Sequence, residues 1–220
     1  MALLITIADV LGAQELDQIR TMLAGMRFED GRRTAGWSAR LVKDNEQARA
    51  GASLSLLQER VSRAIRSHEV FELAVRPRTL TPLLFSRYGA GQHYGSHIDN
   101  PLMDGVRTDV SFTLFLADPE TYAGGELVIE TAGGEDDVKL PAGSMVVYPS
   151  TTLHRVASVT QGERLVAVGW AQSYVRDAGR REILFDLENA KRRLFDAQGK
   201  TPEFDLVAKC AANLLRMWAE

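Results

Sequence analysis

Cysteine is almost absent from this chain of 220 residues, which contains only Cys210. A single cysteine excludes an internal disulfide framework and any metal site built from several thiolates. Cys210 occurs within an apolar helical pattern, and we therefore expect it to pack against neighbouring side chains.

Long apolar runs and a strong charge of one sign are missing too. No stretch approaches the roughly 20 apolar residues of a membrane-spanning helix. The opening MALLITIADVLGAQELD has no basic segment, long apolar stretch or clear cleavage site. We therefore expect a cytoplasmic chain with no membrane partner. A formal net charge of -3 and a pI near 5.9 give no electrostatic reason to expect nucleic acid as a partner.

Short β-rich runs separated by turn residues fill the middle of the chain. Segments such as TPLLFSRYG, RTDVSFTLFLAD and GSMVVYP alternate with breaks that contain glycine or proline. This spacing is typical of an antiparallel double-stranded β-helix, or jelly roll. We predict a mainly β fold with flanking helices, in which residues 77–175 form the catalytic core.

Helical patterns flank this core. Residues 1–76 are predicted to supply supporting helices, together with loop or strand segments, and residues 176–220 a helical subdomain. The predicted apolar faces are Leu16, Ile19 and Leu23 in the first helix, Leu54, Leu57, Val61, Ala64 and Ile65 in the second, and Phe204, Val207, Ala211, Leu214, Leu215 and Trp218 in the last. The last face offers a surface for packing on the barrel or for forming a homodimer.

Three residues indicate a metal site. His97 and Asp99 form an H-x-D pair in HYGSHIDNP, and His154 follows much later in PSTTLHRVAS. A strand sends residues i and i+2 to the same face, so the first two side chains can reach one ion. A sheet that curls back on itself can bring the second histidine opposite. Two histidines and one carboxylate are typical of ferrous iron in oxygenases, although an isolated H-x-D pair is a weak signal.

Arg164 strengthens this interpretation. In GERLVAVGW it begins a strand that is apolar on both faces. A buried guanidinium without a partner costs several kcal/mol, so either a nearby Asp or Glu or the carboxylate of a ligand must face it. Arginine suits a ligand carboxylate because its planar fork can bind both oxygens.

These segments together resemble the iron(II)- and 2-oxoglutarate-dependent dioxygenases of prolyl-4-hydroxylase type. The resemblance is closest to the bacterial PKHD-type hydroxylases, a group linked with iron uptake. It covers nearly the whole chain, including RTLTPLLFSRYGAGQHYGSHIDN, RTDVSFTLFLADPETYAGGELVIE, VKLPAGSMVVYPSTTLHRV and NLLRMWAE.

The resemblance implies one Fe2+ per subunit, held by His97, Asp99 and His154, and 2-oxoglutarate whose far carboxylate meets Arg164. Such an enzyme uses O2 to convert 2-oxoglutarate to succinate and carbon dioxide while it hydroxylates a substrate, with L-ascorbate as the reductant. The substrate stays open among a protein, a peptide and an iron-chelating small molecule.

Tyrosines beside the H-x-D strand can reach the pocket in related hydroxylases. Tyr88 is therefore included among the cosubstrate-binding residues, and Tyr94 is a further candidate; a core tyrosine with one hydrogen bond is the alternative for each. Ser111 and Thr113 share one face of a predicted strand. Weaker candidates for substrate contacts are Asn100, Arg107, Arg155 and Trp170.

Two other classes of protein remain compatible with the sequence. One is a cupin-like metalloenzyme that does not use 2-oxoglutarate, although cupins more often carry an H-x-H pair. The other is a non-catalytic jelly-roll module that binds or senses a ligand.

Overall fold

The computed structural model of the protein describes residues 4–220. Its helices are α1 (Ala13–Ala24), α2 (Ala52–Ser67), α3 (Glu69–Val75), α4 (Ala178–Gln198) and α5 (Pro202–Trp218), with short 3-10 turns at Gly31–Thr34, Ala39–Leu41 and Pro119–Thr121. Its strands are β1 (Ile5–Ile7), β2 (Phe28–Asp30), β3 (Lys43–Asp44), β4 (Glu46–Ala48), β5 (Pro77–Leu80), β6 (Leu84–Tyr88), β7 (His93–His97), β8 (Leu102–Met103), β9 (Val106–Arg107), β10 (Val110–Phe115), β11 (Tyr122–Gly124), β12 (Leu127–Thr131), β13 (Gly134–Val138), β14 (Met145–Pro149), β15 (His154–Val156), β16 (Val159–Gly162) and β17 (Arg164–Ser173).

Two antiparallel sheets pack face to face. Across the described residues, the larger sheet has the strand order β1-β14-β10-β17-β6-β4-β2, and β5 also pairs with β17. The smaller sheet has the order β13-β12-β15-β7-β3. This arrangement confirms the predicted mainly β fold with flanking helices.

The larger sheet buries both of its faces. One face meets the smaller sheet in a core that includes Phe115 and Val166 on one side and Leu127 and Ile129 on the other. The opposite face packs against α1, α2 and α3. Because both faces are covered, β10 is buried at every position, and its sequence reads as a continuous apolar run broken by Ser111 and Thr113.

The helices on the larger sheet bury the faces that the sequence predicts. In α1 these are Leu16, Ile19 and Leu23, and in α2 Leu54, Leu57, Val61 and Ile65. Phe71 of α3 packs edge-on against Phe112 of β10, with ring centroids 5.6 Å apart. Each fully buried apolar side chain contributes about 1.5–3 kcal/mol, so these helices hold the larger sheet rigid behind the smaller one.

The first 76 residues also extend both sheets. β1, β2 and β4 join the larger sheet, and β3 forms the edge of the smaller sheet beside β7. The polar stretch around residues 26–51 therefore contains sheet strands as well as surface turns. The predicted boundaries of the catalytic core, after residue 76 and after residue 175, stay predictions.

The last helices form a pair. Thr201 caps α5 by accepting a hydrogen bond from the Phe204 backbone N–H at 3.2 Å, and Pro202 occupies the first helical position. α5 packs along α4 and buries only Ala211, which leaves the rest of its apolar stripe partly exposed. Cys210 is exposed, so the expectation that it packs is wrong. The homodimer through these helices stays a prediction.

Between residues 4 and 220 no helix has the length and apolar character needed to span a membrane.

Candidate active site

Strand pairing in the smaller sheet brings two distant histidines together. His154 of β15 is the direct antiparallel partner of His97 of β7, and their ring centroids lie 4.3 Å apart. Asp99 follows β7, and its Oδ2 lies 3.8 Å from His154 Nε2. One ligand atom from each of the three residues lies within 4.8 Å of the other two. The cluster predicted from the sequence is therefore assembled, in a geometry that could hold one metal ion.

Backbone carbonyls orient both imidazoles. His97 Nδ1 lies 2.8 Å from the Gly95 carbonyl oxygen, and His154 Nδ1 lies 3.0 Å from that of Thr152. A carbonyl oxygen can only accept, so each Nδ1 carries the hydrogen and donates it. In a neutral ring with this tautomer Nε2 carries a free lone pair, which is the form in which histidine binds a metal.

A pair of hydroxyls orients the carboxylate. Ser111 of β10 donates a hydrogen bond to Asp99 Oδ2 at 2.6 Å. Ser150 lies 2.8 Å from Ser111 Oγ, and it must be the donor there because Ser111 has already used its one hydrogen. The larger sheet thus fixes the rotamer of an acidic side chain that follows a strand of the smaller sheet.

Burial keeps His97 neutral. Desolvation, together with the nearby His154, lowers the pKa of His97 to about 4. The hydrogen bond to Gly95 and the charge of Asp99 act in the opposite direction and are too weak to reverse the shift. At neutral pH the imidazole is therefore uncharged and free to bind a cation without first losing a proton.

Arg164 lies across the same pocket without an acidic partner. Its side chain is among the largest that are fully buried, at 1% exposure, and its Cζ lies 5.2 Å from the centroid of the Tyr88 ring. Over residues 4–220 it forms no ion pair, and its Nε has no hydrogen-bond partner. Burial lowers its pKa, although a guanidinium remains a cation. The sequence left two possible partners for Arg164, an Asp or Glu of the chain and the carboxylate of a ligand. Only the carboxylate of a ligand suits this arrangement.

The pocket opens between the two sheets and contains most of the predicted residues. Its lining includes the H-x-D pair, the second histidine, the buried arginine and a ring of polar and aromatic side chains, namely Tyr88, Tyr94, Tyr148, Ser111, Thr113, Asn100 and Trp170. Tyr94 stacks on the His97 ring, with centroids 3.6 Å apart and planes inclined by 16°. Arg107 and Arg155 do not line the pocket, because they form ion pairs with Asp109 and Glu135 instead.

Sequence reasoning did not single out Tyr148 and Lys43, although both line the pocket. Tyr148 of β14 is buried, its ring lies edge-on to His154 at 5.2 Å, and burial raises its pKa well above the ordinary value. Tyr148 is paired with Ser111 of the neighbouring strand, and paired residues share a face, but this register is visible only in the structure. Lys43 gave no sequence signal either, since it lies in a polar segment that is typical of a surface loop.

Comparisons with known proteins agree with this geometry. Residues 83–172 match the profile of the 2OG-Fe(II) oxygenase superfamily. A PKHD-type hydroxylase of Acaryochloris marina is 55% identical over 219 residues, which cover 99% of this chain and 100% of that protein. Another, from a Picosynechococcus species, is 56% identical over 215 residues, covering 97% and 98%.

A solved structure shares the fold. The crystal structure of a Pseudomonas putida prolyl-4-hydroxylase superposes with a TM-score of 0.53 at 23% identity, over 77% of this chain and 92% of that one. The structural similarity supports the fold alone, whereas the extensive sequence identity to the two hydroxylases identifies the family. The chain therefore belongs to the PKHD-type hydroxylases of the 2OG-Fe(II) oxygenase superfamily, and it is an iron(II)- and 2-oxoglutarate-dependent dioxygenase.

Proposed function

We propose that His97, Asp99 and His154 bind the ferrous ion of this dioxygenase and that Arg164 binds the far carboxylate of 2-oxoglutarate. The observation that carries the proposal is the buried guanidinium without an ion-pair partner, in the same pocket as the three metal-ligating side chains. A dicarboxylate that chelates the metal at one end offers the missing charge at the other.

The donor set fits iron(II). Two neutral imidazoles and one carboxylate are ligands that ferrous iron accepts, and three ligands from the chain leave positions open on an octahedral ion. When bound, iron and 2-oxoglutarate supply the oxygen-dependent chemistry that hydroxylates a C–H bond. The protein provides the ligands, their orientation and an enclosed pocket.

Each neighbouring side chain has a defined part in this arrangement. The carbonyls of Gly95 and Thr152 hold the imidazole rings through Nδ1, which leaves Nε2 for the metal. Ser111 holds the carboxylate of Asp99. Tyr88 is buried, lines the pocket and faces the guanidinium, and we propose that it also contacts the cosubstrate. Water exclusion around Arg164 strengthens its attraction for a carboxylate.

The two other classes are not favoured. A cupin-like enzyme that does not use 2-oxoglutarate would leave the buried guanidinium without a function. A non-catalytic module would not need the oriented Nε2 lone pairs. Both would also depart from the extensive identity to named hydroxylases.

Binding and turnover of 2-oxoglutarate test the proposal. The protein is purified without metal, loaded with ferrous iron under anaerobic conditions, and titrated with 2-oxoglutarate by calorimetry. We expect binding at least about tenfold tighter with iron than without it, because the metal chelates one end of the ligand. On admission of O2 with ascorbate, succinate should form. Iron-independent binding, or no succinate, would contradict the proposal.

The substrate and the location are separate questions. We propose that the substrate is a protein, a peptide or an iron-chelating small molecule, to be identified by a mass gain of one oxygen in a screen with iron, 2-oxoglutarate and ascorbate. We propose the cytoplasm as the location, because a reducing compartment keeps iron ferrous. Cell fractionation followed by immunoblotting tests that location.

A further inference from the structure

A second buried cation, Lys43, lines the same pocket as Arg164. Lys43 of β3 pairs with Tyr94 of β7 at the edge of the smaller sheet. Its side chain is only 6% exposed, and its Nζ lies 5.0 Å from the centroid of the Tyr94 ring, which in turn stacks on His97. The ammonium group is therefore held inside the pocket, close to the candidate metal ligands.

Only neutral groups bind this ammonium within the described part of the chain. Lys43 Nζ donates to Thr34 Oγ1 at 3.1 Å, and Thr34 in turn contacts Gln47 Oε1 at 2.7 Å. No carboxylate of residues 4–220 lies within 4.0 Å of Nζ, and the acidic groups that attract it, Asp99 and Asp30, act from further away. Burying a charge of this kind is unfavourable unless a partner compensates it.

A charge count for the loaded site points to the missing partner. In the loaded site, Asp99 and the metal-binding carboxylate of 2-oxoglutarate would balance the two positive charges of iron(II), and the far carboxylate would balance Arg164. The ammonium of Lys43 is then the one charge that the loaded pocket leaves without a counterion. A buried, preorganised cation next to the reacting centre is a binding site for an anion.

We propose that Lys43 recognises an anionic group, a carboxylate or another oxyanion, on the molecule that the enzyme hydroxylates. This inference rests on the proposed function, because it takes Arg164 and the metal to be occupied by 2-oxoglutarate. The two cations belong to different sheets, so each can bind its own anion. Lys43 donates a hydrogen bond to Thr34, which lines the pocket together with Ala35 and Gly36.

Benzoate and benzamide test the proposal, since they share a shape and differ in charge. Each is titrated under anaerobic conditions into the full-length protein loaded with iron and saturating 2-oxoglutarate. We expect the wild type to bind benzoate about tenfold or more tightly than benzamide, the effect of one hydrogen bond to a charged group. Lys43→Gln should remove this preference, and Lys43→Arg should keep it. Equal affinity of the wild type for the two probes, or an unchanged preference in Lys43→Gln, would overturn the proposal.

The same protein samples distinguish a failure of this inference from a failure of the proposed function. If the iron-loaded wild type fails to bind 2-oxoglutarate, the proposed function fails before either probe is added, and the inference fails with it. The affinity for 2-oxoglutarate is also compared between Lys43→Gln and Arg164→Gln. A loss in Lys43→Gln as large as that in Arg164→Gln would assign the ammonium to the cosubstrate and overturn the inference alone. Thermal unfolding confirms that each variant is folded, and the wild-type comparison of the two probes needs no variant.

Discussion

Ser111 donates a hydrogen bond of 2.6 Å to Asp99 Oδ2 and so joins the larger sheet to the candidate metal centre in the smaller one. Ser111→Ala should lower the affinity for ferrous iron about tenfold, because groups that orient a metal ligand typically contribute 10- to 100-fold to metal binding. Competition with a colorimetric chelator under anaerobic conditions measures the affinity. Ser55→Ala, at an exposed position of α2, is the matched control and should bind as the wild type does. Equal affinities in the two variants would show that the hydroxyl does not orient the carboxylate.

Arg164→Met should separate cosubstrate binding from stability. The affinity for 2-oxoglutarate should fall about 100-fold, because truncating one partner of a buried charge pair costs roughly 2–5 kcal/mol. The free energy of unfolding of the metal-free protein should not fall, since the variant removes a buried charge that lacks an ion-pair partner. Calorimetry and urea unfolding measure the two quantities. Arg155→Met, in a surface ion pair with Glu135, is the control for cosubstrate affinity. A clear loss of stability in Arg164→Met would mean that the guanidinium supports the fold.

Two histidines of the same strand should behave differently. His97→Ala should abolish succinate formation that depends on iron and 2-oxoglutarate, because it removes one of the candidate metal ligands. His93→Ala, four residues earlier on β7, should keep turnover within about twofold, since among residues 4–220 the only hydrogen-bond contact of its ring is with the Gly91 carbonyl, at 3.4 Å, and it lies outside the pocket lining. A folded His97→Ala protein that still forms succinate at the wild-type rate would contradict the metal assignment.

The stability of the metal-free protein should decrease as the pH falls from 6.5 to about 4. The pKa of His97 is lowered from its ordinary value of 6.5 to about 4 in the folded protein, so the unfolded chain binds more protons in this window. Stability therefore rises with pH across the window. Urea unfolding at several pH values should show that His97→Gln reduces this dependence by about 2 kcal/mol. An identical pH dependence in wild type and His97→Gln would show that the fold does not hold the imidazole neutral.

The sequence predicts those parts of the fold and site that depend on local patterns. Apolar spacing identifies the buried faces of α1 and α2, and the run of short β segments identifies the jelly roll. The H-x-D pair can also be recognised locally, because its two ligands are only two residues apart in the sequence. His154 could be joined to the pair by its residue type and by the family resemblance. The direct pairing of His97 with His154 became visible only with the strand register.

The remaining site residues depend on contacts between distant segments. Lys43 is buried because β3 joins the edge of the smaller sheet, and no periodicity in a two-residue strand indicates this. Ser111 reaches Asp99 across the two sheets, a relationship that neither local sequence contains. For Cys210 the sequence predicted burial that the structure does not show. An apolar helical pattern leads to burial only where another element covers that face of the helix.

Because His97 pairs directly with His154, the candidate metal centre forms only when the strands that carry them are correctly paired. The two histidines become neighbours only when β7 and β15 pair in their native register, and a slip of one residue would turn one imidazole to the other face of the sheet. The unfolded chain therefore lacks the assembled site, and bound metal favours the folded protein by mass action. The melting temperature should accordingly rise with the free concentration of a redox-inert divalent ion, which makes strand register measurable by titration.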